Sequence, residues 1–228
     1  DPHLTLQQVR ELDPDDPTRR RFEAIRALRK SGAQVMVLAA DVADATTMEA
    51  AFERIEDHLG PIHGVFHCAG AIDAQTYCEV TSETPENAAR QFQAKVYGTQ
   101  VLDQVLQTRT ADFCVLMSSL ASQLGGLGFS SYAAANHYLD AFAEARNSTG
   151  GTRWLSVNWD AWQLGEVKSA VTGFGTTVSS YFMEPDAACD VLFRMLAQRV
   201  VPRVIVSTGD LDQRRAQWVA QRDEPVLE

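Results

Sequence analysis

Lys95, Ser119, Tyr132 and Asn136 are residues that together can protonate a carbonyl oxygen as a hydride arrives at its carbon. A phenol is a poor acid near neutrality, with an ordinary pKa of about 10, so a tyrosine that donates its proton needs a cation beside it to stabilise the phenolate. Lys95 is suited to be that cation. The Ser119 hydroxyl both donates and accepts, and so can orient the substrate oxygen. Asn136 follows Tyr132 by one helical turn and shares its face, where its amide can hold the lysine or a relay water. Taken singly, each residue has an ordinary structural reading: a tyrosine packed on an Ala-rich helix, a solvated lysine, a serine pair in a turn or cap. Their joint spacing carries the chemistry.

The elements that must position them alternate between helices and short apolar strands. Asp16-Pro17 reads as an N-cap with proline at the first helical position, followed by a stripe of Phe22, Ile25 and Leu28 that stops at Gly32. Residues 34–39 read as a strand. Asp44 caps the next helix, with Met48, Phe52, Ile55 and Leu59 facing inward and Gly60-Pro61 ending it. A strand over 64–68 follows, and Thr84-Pro85 opens a long helix to about Gln107 with Lys95 in its middle. Residues 113–117 form the strand that delivers Ser119, and a helix over about 131–146 carries Tyr132 and Asn136. Further strands are expected over 154–158 and 204–207. One more helix starts at Pro185, and a polar helix over 210–220 docks through Leu211 and Trp218. The order predicts a single domain over 1–228 of α/β class, a Rossmann-type doubly wound parallel sheet with helices on both faces. Ligands bind such sheets at the carboxyl ends of the strands.

Composition excludes several function classes. The chain has 228 residues, 45% hydrophobic and 22% charged, with a formal net charge of −10. That balance is ordinary for a globular protein, and its sign opposes a nucleic-acid surface. No apolar run reaches the roughly 18 residues of a membrane span, and the start lacks a charged-then-apolar signal segment. A cytoplasmic location is therefore expected. Cys68, Cys78, Cys114 and Cys189 are scattered without metal-ligand spacing, so no metal site is expected. Cys68 and Cys114 read as small buried hydrophobes with reduced thiols, and His67, ending a strand, reads as structural.

The stretch VLMSSLASQLGGLGFSSYAAANHYLDAFAEAR over residues 115–146, with HCAG (67–70), AKVYGT (94–99) and VNWDAW (157–162), resembles the short-chain dehydrogenase/reductases. More narrowly, it is similar to the ketoreductase domains of modular polyketide synthases. Many reductases of the superfamily carry the lysine just after the tyrosine on one helix. Here position 136 is Asn and Lys95 lies upstream, as in the polyketide and fatty acid synthase type. The resemblance runs from about Asp13 to Trp218. It implies NADPH-dependent reduction of a β-ketoacyl thioester tethered by phosphopantetheine to an acyl carrier protein, beside neighbouring synthase domains. It also implies that Asp41 and Val42 face the adenine, that Ala69 and Gly70 approach the nicotinamide, and that Trp159, Asp160 and Ala161 hold the carboxamide end. Asp41 equally suits a turn residue before a helix. Residues 163–183, weakly periodic and rich in Gly, Ser and Thr, resemble a substrate lid, with a plain surface loop as the alternative.

A dinucleotide site needs a glycine-rich turn between a strand and a helix N-terminus, where backbone amides approach the pyrophosphate. No such turn precedes Gln34, and Gly125-Gly126-Leu127-Gly128 follows the Ser119 strand instead. The resemblance places that turn, its flanking strands and the 2′-phosphate partner before Asp1, and implies that residues 1–228 alone are inactive. Two other readings stand beside the reductase: a noncatalytic scaffold domain of a synthase, and a free-standing short-chain reductase on a small ketone. Product configuration stays open, because Ile72-Asp73-Ala74 and Leu124 occupy the diagnostic places and match neither pattern in full.

Overall fold

The computed structural model describes residues 6–14, 16–71, 78–126, 128–163, 181–198 and 201–219. Among them, four strands, β1 (Gly64–His67), β2 (Phe113–Ser119), β3 (Arg153–Trp159) and β4 (Arg203–Ile205), form one sheet in the order β1-β2-β3-β4. Every pair is parallel, with Val65 opposite Cys114, Leu116 opposite Ser156 and Ser119 opposite Trp159. The connections carry helices, as parallel pairing requires.

The central strands are apolar on both sides because both sides are covered. Cys114, Leu116 and Trp154 pack against α3 (Ala45–Leu59), α5 (Gly98–Leu106) and α7 (Ser130–Asn147), through Phe52, Leu102, Val105, Leu106, Leu139 and Ala143. On the opposite face Val115, Leu155, Val157 and Trp159 pack with Met183 and with Ala188 and Met195 of α8 (Pro185–Ala197). At their C-terminal ends the strands turn polar on the α7 side, where Ser118, Ser156 and Asn158 alternate with the apolar residues and are all buried.

Local signals place the helices. Asp16 caps α2 (Pro17–Lys30) by accepting from the Thr18 and Arg19 amides, and Asp44 caps α3 by accepting from Thr46 and Thr47. Gly60 ends α3 at φ 88, a left-handed conformation that favours glycine. Asn147, at the end of α7, ties that helix to β3 by accepting from the Trp154 amide at 3.1 Å and donating to the Trp154 carbonyl at 2.6 Å.

Several sequence expectations are corrected. Residues 34–39 make no ladder and Val37 is 61% exposed, since a strand exists only where another backbone takes its amides and carbonyls, and no described strand pairs with this segment. The stripe of α2 is half-buried at best, with no residue of the helix fully buried, and Leu59 of α3 is exposed rather than inward. Cys114 is buried but Cys68 is exposed, because β1 stops at His67. The long helix expected through Lys95 is α4 (Pro85–Phe92), a π-helical turn (Gln93–Tyr97) and α5 in succession. Strand β4 ends at Ile205, two residues before the expected limit. Between β2 and α7 lies the short helix α6 (Ala121–Leu124), and near the N-terminus lies α1 (Leu6–Glu11). The positions 72–74 and most of the expected lid, 164–180, lie outside the described residues.

Leu116 is fully buried at the centre of the sheet. Leu116→Ala is expected to lower the unfolding free energy by about 2–5 kcal/mol in urea titration, the range for a buried leucine whose cavity does not collapse. A loss below about 1 kcal/mol would contradict a close-packed layer there.

Candidate active site

The site forms where the π-helical turn, the end of β2 and the first turns of α7 meet. Lys95 lies within the π-helical turn and is 6% exposed, and its ammonium donates to the Met117 carbonyl on β2 at 2.8 Å. A π-helical turn is one residue wider than an α-turn and frees backbone groups, which here find side-chain partners. The Thr99 hydroxyl donates to the Lys95 carbonyl at 2.6 Å, and His67 Nε2 lies 3.1 Å from the Ala94 carbonyl. Gly98 follows the turn, and a Cβ there would come within 2.8 Å of Val42 Cγ1, so the helix approaches the 41–44 turn as closely as a backbone without a side chain allows.

Helix α7 presents the other partners. Tyr132 sits in its first turn, with the Lys95 ammonium 5.8 Å from its ring centroid and the Phe129 ring packed at a tilt 5.8 Å away. Asn136, fully buried one turn later, donates to the Tyr132 carbonyl at 2.8 Å, while its Oδ1 is buried without a partner. The start of the helix is fixed by Glu83, which accepts from the Ser130 hydroxyl and, at 2.6 Å, from the Ser131 hydroxyl. These hydrogen bonds hold the Glu83 carboxyl below its usual range. Ser119 ends β2, and its hydroxyl accepts from the Ala121 amide at 3.2 Å, which leaves the O–H able to donate elsewhere.

Burial dominates the electrostatics. Desolvation lowers the Lys95 pKa to about 8, against opposing fields from Cys68 and Asp140 that raise it. His67 is pushed down to about 4 by burial and then by the Lys95 cation, so the lysine faces a neutral imidazole through the neutral range. Cys68 is exposed as a residue, but its thiol is shielded enough for desolvation to push it up, with Lys95 opposing. A lysine that keeps its proton in so dry a place carries a charge with little screening.

The structure thus brings Lys95, Tyr132 and Asn136 together, with Ser119 at the adjoining strand end. The residues expected around a dinucleotide are distributed more widely. Ala69 and Gly70 follow β1, and a Cβ on Gly70 would stand 3.3 Å from Lys95 Cε, so the backbone there passes close against the buried lysine. Trp159 and Trp162 pack edge to face at 5.1 Å, each with a buried indole N–H that lacks a partner. Between them, the Ala161 carbonyl accepts from the Met183 amide at 2.8 Å. Asp41 is exposed and accepts from the Ala43 amide at 2.9 Å, a turn role, and Val42 packs toward Gly98 and the core. Among the described residues no group of His, Cys, Asp and Glu is placed to hold a metal ion, and no helix is long and apolar enough to cross a membrane.

Asp160 is the residue whose setting the sequence did not disclose. Its carboxylate is buried in a two-point ion pair with Arg214 of α9 (Leu211–Trp218), at 2.7 and 2.9 Å, and also accepts from the Thr208 amide at 2.8 Å. The guanidinium lies over the Tyr181 ring at 4.1 Å and the Trp218 ring at 4.9 Å, two rings that themselves pack edge to face. Helix α9 therefore docks through a buried arginine as well as through Trp218, and it locks the turn after β3. An Arg flanked by aromatic residues and an upstream Asp was the available signal. Arg214→Met would strand the Asp160 carboxylate. The expected cost is about 3–5 kcal/mol of stability, read by chemical denaturation, and a change under about 1 kcal/mol would contradict the pairing.

Comparison with known proteins fits this geometry. A family model described as KR domain matches residues 9–164, a span that contains Lys95, Ser119, Tyr132 and Asn136. Polyketide synthase PksL of Bacillus subtilis (strain 168) is 29% identical over 211 residues, which is 90% of this chain and 4% of that protein. The 6-methylsalicylic acid synthase of Aspergillus terreus (strain NIH 2624 / FGSC A1156) is 36% identical over 145 residues, 62% of this chain and 8% of that protein. The chain thus spans only a small part of the curated relatives it matches. A solved ketoreductase domain from the bacillaene assembly line superposes with a TM-score of 0.76 at 26% identity, covering 91% of this chain and 50% of the other. With more than half its length inside the family model, and with Lys95, Tyr132 and Asn136 gathered beside the end of β2, the chain belongs to the KR domain family, the ketoreductase domains of polyketide synthases.

Proposed function

We propose that this chain is the catalytic part of a cytoplasmic, NADPH-dependent reductase that converts a β-ketoacyl thioester into a β-hydroxyacyl thioester during polyketide chain extension. The substrate in this reading is carried on the phosphopantetheine arm of an acyl carrier protein, and other synthase domains stand beside the reductase. The observation that carries the reading is the buried Lys95 ammonium, held on the Met117 carbonyl at 2.8 Å and 5.8 Å from the Tyr132 ring.

The residues present suit the nicotinamide end of the cofactor. Gly70 lets the backbone pass close to Lys95, and the unpartnered indole N–H groups of Trp159 and Trp162 border the next strand end. Ala69 and Gly70 would line the nicotinamide side. The turn through Trp159, Asp160 and Ala161 would hold the carboxamide end by its main chain, since the Asp160 carboxylate is taken by Arg214. Asp41 and the main chain of Val42 would border the adenine. We assign the pyrophosphate cradle to a glycine-rich turn outside residues 1–228, which would join the sheet along the outer edge of β1, where Phe66 is 46% exposed. Residues 1–228 alone are then inactive in this reading.

When bound, NADPH supplies a hydride from nicotinamide C4 to the β-carbon. As the carbonyl π bond opens, the Tyr132 O–H transfers its proton to the oxygen, so ketone, hydride and proton sum to the alcohol. Ser119 donates a hydrogen bond to the same oxygen and sets its distance from the phenol. The Lys95 cation favours the phenolate that Tyr132 becomes. The open Oδ1 of Asn136 is an acceptor for a water that returns the proton.

Tyr132→Phe removes one hydroxyl and keeps the ring. In the intact protein it is expected to lower NADPH-dependent turnover of a β-ketoacyl thioester by about 10²-fold or more, the scale of lost acid–base assistance, with an unchanged thermal melt. Turnover near the parent value would remove Tyr132 from the mechanism.

A further inference from the structure

Beneath the site lies a buried polar cluster that the reaction as described does not use. Asp140, two turns after Tyr132 on α7, is 1% exposed. Its carboxylate accepts from the Ser122 hydroxyl at 2.9 Å, from the Ser156 hydroxyl at 2.6 Å and from the Asn158 amide at 2.8 Å to each oxygen. An Asn158 oriented the other way would turn its carbonyl toward a carboxylate, so the N–H₂ group belongs where it stands. The same amide lies 2.9 Å from the Ser118 hydroxyl, which in turn donates to the Asn136 carbonyl at 3.3 Å. The cluster therefore touches β2, β3, α6 and α7 at one point. Ser118 is flanked by Met117, whose carbonyl holds Lys95, and by Ser119.

A carboxylate in this setting is costly unless several donors serve it, and apolar residues of similar size would fill the space at less cost. Its presence is accounted for by what its donors fix. We propose that Asp140 is a positioning residue for ketone reduction: it gathers Ser122, Ser156 and Asn158 so that the ends of β2 and β3 lock against α7, which holds Ser119 and the Lys95 anchor in register with Tyr132. This inference rests on the reductase reading for its functional meaning, but its physical content does not.

The carboxylate also acts on Lys95 through space. The titratable groups facing that lysine are His67 and Cys68 at the end of β1, and Tyr132 and Asp140 on α7. The Asp140 field raises the Lys95 pKa against desolvation, so loss of the charge lets it fall below about 8. Reduction needs the protonated lysine. The alkaline limb of the pH–rate profile should then move to lower pH.

The test is Asp140→Asn in the intact protein, with two readouts. The first is the Lys95 side-chain titration, followed by NMR of ¹³C-lysine-labelled protein and assigned by comparison with Lys95→Arg. The second is steady-state reduction of a β-ketoacyl thioester. The expected result is a Lys95 titration shifted to lower pH, with kcat down by about 10-fold to 10²-fold and little change in KM, the scale of a misplaced reacting group. An unchanged Lys95 titration or an unchanged kcat overturns the proposal. Should Asp140→Asn fail to fold, Ser156→Ala keeps the charge and removes one donor. It is expected to lower kcat with KM and the Lys95 titration held, and a parent-like kcat overturns the proposal. If the parent protein itself reduces no β-ketoacyl thioester, the reductase reading fails, while the titration still decides whether Asp140 acts on Lys95.

Discussion

A lysine ammonium kept charged in a nearly dry seam is the constraint on which the site is built. Desolvation takes the Lys95 pKa down to about 8. The Met117 carbonyl, the field of Asp140 and the neutral state of His67 each favour the cation or leave it unopposed. In the reading proposed, the same dryness is what lets the charge assist the Tyr132 phenol, because an interaction screened in water is several times larger at low effective dielectric. The local backbone follows from this need. The π-helical turn sets Lys95 toward β2, and the carbonyls it frees are met by Thr99 and His67.

The sheet divides its labour along each strand. Deep in the molecule, β2 and β3 are apolar on both faces and supply the packing that makes the site rigid. At their carboxyl ends the α7 face changes to Ser118, Ser156 and Asn158, and the polar cluster around Asp140 begins. Positions only two residues apart on a strand thus serve stability and chemistry in turn, as the period of two requires. Asp160 and Arg214 perform a similar task one strand further on, where a paired charge fixes the turn after β3.

Much of this was legible in the sequence, and the reasons differ by element. Tyr132 and Asn136 share a face by helical spacing, and the Asp16 and Asp44 caps follow from local chemistry that needs no distant partner. The parallel α/β order was readable from alternating apolar runs. Residues 34–39 had the right composition for a strand, but pairing is a property of two segments, and no described strand pairs with this one. The π-helical turn at Lys95 leaves no mark in hydrophobic spacing, because it adds a single residue within an otherwise helical run. The burial of Asp140 and the pairing of Asp160 with Arg214, 54 residues away in sequence, depend on tertiary contacts that composition does not encode. A buried carboxylate looks, in sequence, like any charge on a helix.

The measurement that bears most directly on the account is the transfer of deuterium from NADPH labelled at nicotinamide C4 to a β-ketoacyl thioester, followed by mass spectrometry in the intact parent protein and in Lys95→Met. The account predicts deuterium at the β-carbon of the hydroxyacyl product with one of the two C4 labels in the parent. In the variant the transfer rate at neutral pH should be lower by about 10²-fold. Transfer by Lys95→Met at the parent rate would contradict the role given to the buried cation, and the absence of β-carbon label in the parent product would contradict the reduction itself.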